Sequence, residues 1–489
     1  MLKIIYYNSF KRLLSTLAPS IGLEIHVQLK ANSKLFSDAP VTDGVACGSN
    51  QTVALFDLGT PGTLPTVNEN SVKLALKASM LLNSSVSHEC RFDRKHYFYP
   101  DMPMGYQITQ NELPIAKSGH FDYYVRQSRN KMKRATIKQV QLEMDSGKLI
   151  HNQGYDLIDL NRAGIGLIEI VTEPCFEGPI DASAFVENLR WVLAVNDISD
   201  CQMHRGQLRV DANVSVAPPG SKGNVVEIKN INSFVDIEKT LKYEIRRQVD
   251  VINNGGTIET ETRGIVDGKT VSSREKGEGH DYRFLPEPNI PRIKIEKEWL
   301  TQLREELRPA SYVHYIEKLG FTVDYTFDLL YDDNLRRFVD AVLLNIHSEH
   351  SKFEPLLHEF PKILVECGGT FPPPEAMIST YTTLIKYLIE AKITRLTFID
   401  LVKFYLTGDT TAVDKKIADD NLWRITDPEL VGRLISDALQ KTNPDSVRKA
   451  KAGKLKHFNR IRNRIIVDSQ RRIGIDQIEM ALKERLGEL

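Results

Sequence analysis

The chain has 489 residues, with 64 Lys plus Arg balanced by 64 Asp plus Glu, and 41% of its residues are hydrophobic. This ordinary globular mixture excludes a disordered chain, a collagen-like chain and a basic chromatin-type protein. No run of about 18 apolar residues occurs, so no insertion into a membrane is expected, and a neutral chain can hold RNA or DNA only through a local basic patch.

Taken in order, residues 1–23 contain Lys3, Lys11 and Arg12 and no acid. Leucines, hydroxyls and basic residues without acids describe a mitochondrial presequence, placed at 1–18, and hence a location in the mitochondrial matrix. From about residue 20 to 295, short alternating segments are punctuated by Gly, Pro and Asn. Two helices, at 71–83 and 181–195, are predicted to interrupt them. From about 296 onward helical periodicity takes over, so the expected fold class is α+β: a large domain dominated by antiparallel sheet, then one or two helical domains. The five cysteines stand far apart without a CxxC spacing, which predicts reduced thiols and no zinc ribbon.

Several strands share one pattern. In 21–29, Ile21, Leu23, Ile25, Val27 and Leu29 fall on one face, while Glu24 and His26 fall on the other, about 7 Å apart along the strand. In 137–145 the polar row is Gln139, Gln141, Glu143 and Asp145. In 167–173, Leu167, Glu169, Val171 and Glu173 share a side. In 208–216, Arg209, Asp211, Asn213 and Ser215 oppose an apolar row, and Glu227 and Lys229 share a side of the next strand. One wet sheet face would explain any single strand. A whole set rich in Asp, Asn, Glu and His is a poor solvent face, because Asp and Asn are disfavoured in strands. Acids lining one concavity repel each other unless a cation sits among them; carboxylates with one imidazole suit Mg²⁺ or Mn²⁺.

Other motifs fail. Gly264 to Thr270 is one residue short of a phosphate-binding loop, and Asp267-Gly268 reads better as a hairpin turn. His88-Glu89 lacks the second His of a zincin. Residues 448–472 hold ten Lys or Arg and one acid, Asp468, a net charge of +9 that suits phosphate contacts. With only Phe458 as an aromatic, base stacking is not expected there.

The motifs IGLEIHVQL (21–29), FDRKHYFYPDMPMGYQITQ (92–110), LEMDSGK (142–148), LIDLNRAGIGLIEIVTEP (157–174), LRVDANVSV (208–216), VEIKNINSF (226–234) and DYRFLPEP (281–288) resemble the aspartyl/glutamyl-tRNA amidotransferase B family. The resemblance implies a cradle-shaped kinase/transamidase domain at 19–295, a helical domain at 296–410 and a basic helical tail domain at 411–489. It implies that ATP phosphorylates the glutamate of Glu-tRNA(Gln), and that ammonia channelled from a separate amidase (glutaminase) subunit then displaces phosphate. The glutamyl-tRNA synthetase and a small third subunit are further partners it suggests.

Carried over residue by residue, Glu24, His26, Glu143 and Glu169 are the metal positions and Lys95 a site lysine. Tyr97 and Tyr99 would shape the pocket. Asp211, Asn213, Ser215, Glu227, Lys229 and Asn232 would complete a nucleotide or acceptor-end pocket, with Arg274 and Arg283 as phosphate contacts. Three departures stand out: Met144 replaces the middle acid of a usual Glu-Glu-Asp, which puts the ammonia hand-off there in question; only Cys47 remains of a zinc-binding cysteine cluster, so no zinc is expected; and the tail reads HFNRIRNRII at 457–466. The alternative is a non-catalytic scaffold that holds tRNA by its basic tail.

Overall fold

A computed structural model describes residues 17–42, 48–96, 98–126, 132–273, 282–346 and 349–488. Almost all of the expected presequence lies outside the described residues, as do Cys47, Tyr97 and Arg274. The chain divides into two compact units, the first ending at Val313 and the second beginning at His314.

The first unit is built from β1 (Ala18–Gln28), β2 (Ser85–Val86), β3 (Glu89–Cys90), β4 (Asp93–His96), β5 (Tyr106–Thr109), β6 (Ala116–Tyr124), β7 (Met132–Met144), β8 (Lys148–Asn152), β9 (Tyr155–Asp159), β10 (Gly166–Thr172), β11 (Leu208–Ala217), β12 (Val226–Ile231), β13 (Glu261–Val266), β14 (Lys269–Ser272), β15 (Leu285–Pro286) and β16 (Ile293–Lys294). Nine of these form one sheet in the order β14-β13-β12-β11-β1-β10-β7-β6-β2. Every neighbouring pair in it is antiparallel except β12 with β13. The alternation read from the sequence sets its two faces. Ile21, Leu23, Ile25, Val27, Val140, Leu142, Ile168, Ile170, Val210, Val214 and Ile228 are all buried on the apolar face. At roughly 1.5–3 kcal/mol for each large aliphatic side chain fully buried, this row alone fixes the register, because a one-residue slip would expose it.

Three α-helices lie between these strands among the described residues: α1 (Glu69–Leu81), α2 (Pro179–Val195) and α3 (Phe234–Asn253). The expectation of two helices is corrected by α3, whose N-cap Ser233 accepts from the backbone N–H of Asp236. Its inward stripe is Ile237, Thr240, Leu241, Glu244, Ile245, Gln248 and Val249, at helical spacing but with three polar members that mute the apolar signal. Those polar groups dock the helix. Gln248 Nε2 donates to the Val214 carbonyl at 3.2 Å. Glu244, fully buried, accepts from Arg247 at 2.7 Å and from the Thr270 hydroxyl at 2.7 Å. Asp267-Gly268 forms the expected hairpin turn between β13 and β14, with φ of 50° and 72°, the left-handed pair that a two-residue hairpin requires.

In the second unit only helices occur among the described residues. One core gathers Phe338, Phe360, Tyr381 and Phe398, with the rings of Phe338 and Phe360 stacked at 5.1 Å. Another gathers Ile435, Ile461, Ile465, Ile478 and Leu482 from the last helices. Among the described residues no helix is long and apolar enough to cross a membrane. Cys90, Cys175, Cys201 and Cys367 are free thiols, and burial pushes that of Cys201 up to about 12.

Candidate metal centre

Residues opposite one another in an antiparallel pair project from the same face. His26 on β1 lies opposite both Glu169 on β10 and Arg209 on β11. Glu169 lies opposite Gln141 on β7, and Glu143 follows one pleat along that strand. Three strands distant in sequence thus deliver one cluster: a ligand atom from each of His26, Glu143 and Glu169 lies within 4.8 Å of the others. Nε2 of His26 is 3.4 Å from Oε1 of Glu143. The Thr109 hydroxyl donates to Oε2 of Glu143 at 3.3 Å, and Gln141 Nε2 donates to Oε2 of Glu169 at 2.5 Å.

The electrostatics describe a site made for a cation. Burial raises the Glu143 carboxyl above the usual carboxylate range, with Lys95 opposing the shift and Asp145 adding to it. Glu169 is pushed well above that range, by burial first and then by the charges of Glu143 and Glu24. His26 moves the other way: burial, then the positive charge of Arg209, lowers its pKa to about 3. The imidazole is therefore neutral at pH 7 and offers a lone pair beside two acids that resist ionising together. A divalent ion would compensate both charges and use that lone pair. The donor set, two carboxylates and one imidazole without a thiolate, fits Mg²⁺ or Mn²⁺.

Glu24, expected to be a fourth ligand, is on the same face but outside the 4.8 Å group. It lies opposite Asp211, and its Oε1 accepts from Asn213 Nδ2 at 2.9 Å. Lys95 comes from a separate small sheet, on β4 opposite Gln107 of β5. That sheet is tied to the end of β7 by Gln107 Nε2, which donates to the Met144 carbonyl at 2.7 Å. The ammonium acts on both Glu143 and Glu169 and lies 4.7 Å from the Tyr282 ring. On the β11–β12 flank, Asp211 accepts from the Asn230 backbone N–H at 2.7 Å. Glu227 accepts from Lys229 at 3.2 Å and from Thr262 at 2.8 Å.

Of the other expected members, Ser215 stands apart. Ser215 pairs with Ser20, six residues from His26 along β1, or about 20 Å at strand rise. Asn232, Tyr99 and Arg283 are exposed, and the Arg283 carbonyl faces Nδ1 of His96 at 2.9 Å. Met144 is buried in the apolar row, on the face of β7 turned away from Glu143. The sequence reading assigned no role to Thr109, Gln141, Asp145 or Arg209. Parity put the last three on the polar face; Thr109 lies in the 92–110 motif but on no strand whose parity was read.

Residues 19–301, the span holding the sheet and this cluster, match the family model described as the GatB/GatE catalytic domain. The chain belongs to this family, the B subunits of tRNA-dependent amidotransferases. Its relatives include B subunits of aspartyl/glutamyl-tRNA(Asn/Gln) amidotransferase. That of Carboxydothermus hydrogenoformans is 35% identical over 487 residues, covering 96% of this chain and 98% of the relative. Those of Staphylococcus epidermidis (35% over 477 residues, 95% and 98% covered) and Persephonella marina (36% over 453 residues, 90% and 93% covered) are similar along nearly their full lengths.

Proposed function

We propose that this chain activates and amidates the glutamate of Glu-tRNA(Gln) in a complex with a small third subunit and with an amidase subunit that supplies ammonia. ATP is the phosphoryl donor, Mg²⁺ or Mn²⁺ the cation, and the mitochondrial matrix the setting. The observation that carries this reading is the meeting of His26, Glu143 and Glu169 ligand atoms within 4.8 Å, inside the span that matches the family's catalytic domain.

A carboxylate is a poor acyl donor, and an acyl phosphate is a good one. Bringing a triphosphate and a carboxylate together sets anion against anion, so the site must supply positive charge where the phosphoryl group passes. A divalent cation would supply that compensation when bound. His26, Glu143 and Glu169 would hold it, with the imidazole kept neutral by burial. Glu24, oriented by Asn213, adds negative charge that strengthens cation capture. Lys95 faces the same hollow from the small sheet and offsets charge on the anionic reactants. Displacement of phosphate by ammonia then yields the amide.

The cluster favours catalysis over a scaffold that only holds tRNA. A scaffold gains nothing from a buried and a half-buried acid crowded against each other, an arrangement that weakens the fold unless a ligand relieves it. The test is conversion of Glu-tRNA(Gln) by the purified complex. Glu143→Gln is expected to abolish Gln-tRNA(Gln) formation while the partner's glutaminase activity survives at least in part; normal amidation by this variant would overturn the assignment.

A further inference from the structure

Arg209 leaves β11 opposite His26, yet its Nη2 lies 3.0 Å from Oδ2 of Asp145, just past the end of β7. Two strands, β1 and β10, separate β11 from β7, a span of about 14 Å at ordinary strand spacing. The side chain therefore runs along the floor of the hollow rather than out of it, past His26 and toward the strand that carries Glu143. Only 21% of its surface is exposed. Its anchor is fixed: Asp145 is buried, and Arg162 Nε stands 3.6 Å from the same carboxylate oxygen. Arg162 is itself held by the carbonyls of Ser146 and Gly147, at 2.9 and 2.6 Å.

One part of this arrangement is unfinished. Nε of Arg209 is buried and donates to no acceptor among the described residues, and buried donors are seldom left so in a completed fold. A guanidinium presents five N–H donors in a rigid fork that matches phosphate oxygens. Here Nη2 is fastened by Asp145, while the buried Nε, on a residue opposite His26, has no acceptor among the described residues.

We propose that Arg209 is a further catalytic residue, whose guanidinium binds the non-bridging oxygens of the phosphoryl group as it passes from ATP to the glutamyl carboxylate. The proposal rests on the phosphoryl-transfer reading given above. In that step the bond from the γ-phosphorus to the β,γ-bridging oxygen breaks, ADP leaves with the electron pair, and a side-chain carboxylate oxygen forms the new bond to phosphorus. Arg209 exchanges no proton; it offsets the charge spread over the three equatorial oxygens. Asp145 and Arg162 act through Arg209 and are positioning residues.

The test compares the complex carrying Arg209→Ala, Arg209→Lys or Arg209→Gln with the unaltered complex, the Gln variant serving if Ala prevents folding. ATP cleavage dependent on Glu-tRNA(Gln), Gln-tRNA(Gln) formation with added ammonium, Mn²⁺ binding by electron paramagnetic resonance and thermal melting are all measured. Arg209→Ala is expected to lose about 10³-fold in ATP cleavage, the scale on which a transferring phosphoryl group depends on an arginine. Lys is expected to restore only part, because an ammonium lacks the fork. Methylguanidinium added to the Ala variant should recover part of the loss. Mn²⁺ affinity should be unchanged or tighter, since a neighbouring positive charge is gone. ATP cleavage within about threefold of wild type in the Ala or Gln variant overturns the proposal. So does a loss of activity that travels with lost Mn²⁺ binding and a lowered melting temperature and does not respond to methylguanidinium. An unaltered complex that cleaves no ATP with Glu-tRNA(Gln) and metal present overturns the phosphoryl-transfer reading itself, and this proposal with it.

Discussion

Glu143 and Glu169 occupy positions where an ionised carboxylate is least at ease, and the direction of their shifts fixes the effect of pH. Both are raised above the ordinary 4.5, so the folded state holds their protons more firmly than the unfolded chain does. Their contribution to stability is complete below about pH 4.5 and is lost as the pH rises through the folded values. As the pH rises without a cation, ionising both acids in the hollow costs the fold more. Glu169→Gln removes one of the two, and in chelator it is expected to melt about 1–2 °C above wild type at pH 8, the shift that roughly 1 kcal/mol produces in a unit of this size. The advantage should shrink toward pH 5. Calorimetry at the two pH values checks this; a variant that melts lower than wild type at both has removed no strain. His26 works in the opposite sense. With its pKa depressed from 6.5 to about 3, its contribution is present above pH 6.5 and is lost as the pH falls toward 3. Metal-free His26→Gln should therefore lose stability less steeply than wild type across that acid range.

At the scale of elements, α3 is where physics and sequence pattern part. The strands were legible because one face had to be apolar, and parity then placed Glu24, His26, Glu143 and Glu169 on the other face together. The helix was not, because Thr240, Glu244 and Gln248 fill positions where aliphatic residues would have signalled it. Glu244 accepts from Arg247 within α3 and ties the helix to Thr270 on β14, and its Oε2 lies 3.6 Å from Nε of Arg263 on β13. Glu244→Ala leaves these partners without their acceptor and is expected to cost about 3–5 kcal/mol, as breaking a buried ion pair from one side does. Urea unfolding measures the loss, and hydrogen exchange should show protection falling first at 261–272. A cost below about 0.5 kcal/mol, the range of ordinary surface substitutions, would mean the network carries no load. Arg209 with Asp145 lay beyond sequence reading for another reason. The two residues are 64 positions apart and two strands removed, so only the register of β1, β10 and β11 brings them together. Lys95 was found by family resemblance alone, since nothing in strand parity places a second sheet over the first.

For the whole molecule, the basic segment at 448–472 falls on helices Pro444–Lys451 and Leu455–Asp468 of the second unit and the turn after them. Part of its charge is spent internally: Arg448 and Lys449 pair with Asp445, Arg462 with Glu479 and Arg471 with Asp400. Lys451, Lys454, Lys456 and Arg460 are exposed and form no ion pair among the described residues. If tRNA is held here, replacing these four by Gln should weaken binding and flatten its salt dependence by up to about 3–4 in the log–log slope. The Mn²⁺ affinity of the first unit should not change. An unaltered slope would place the tRNA contact elsewhere.

Titration of the purified complex with Mn²⁺ by electron paramagnetic resonance shows whether His26, Glu143 and Glu169 together grip a divalent cation. One tight site per chain is expected in the unaltered complex, weakened at least about 10-fold by Glu143→Gln, Glu169→Gln or His26→Gln, while Asn232→Ala leaves it intact. Mn²⁺ bound with the same affinity in all three ligand variants would contradict this.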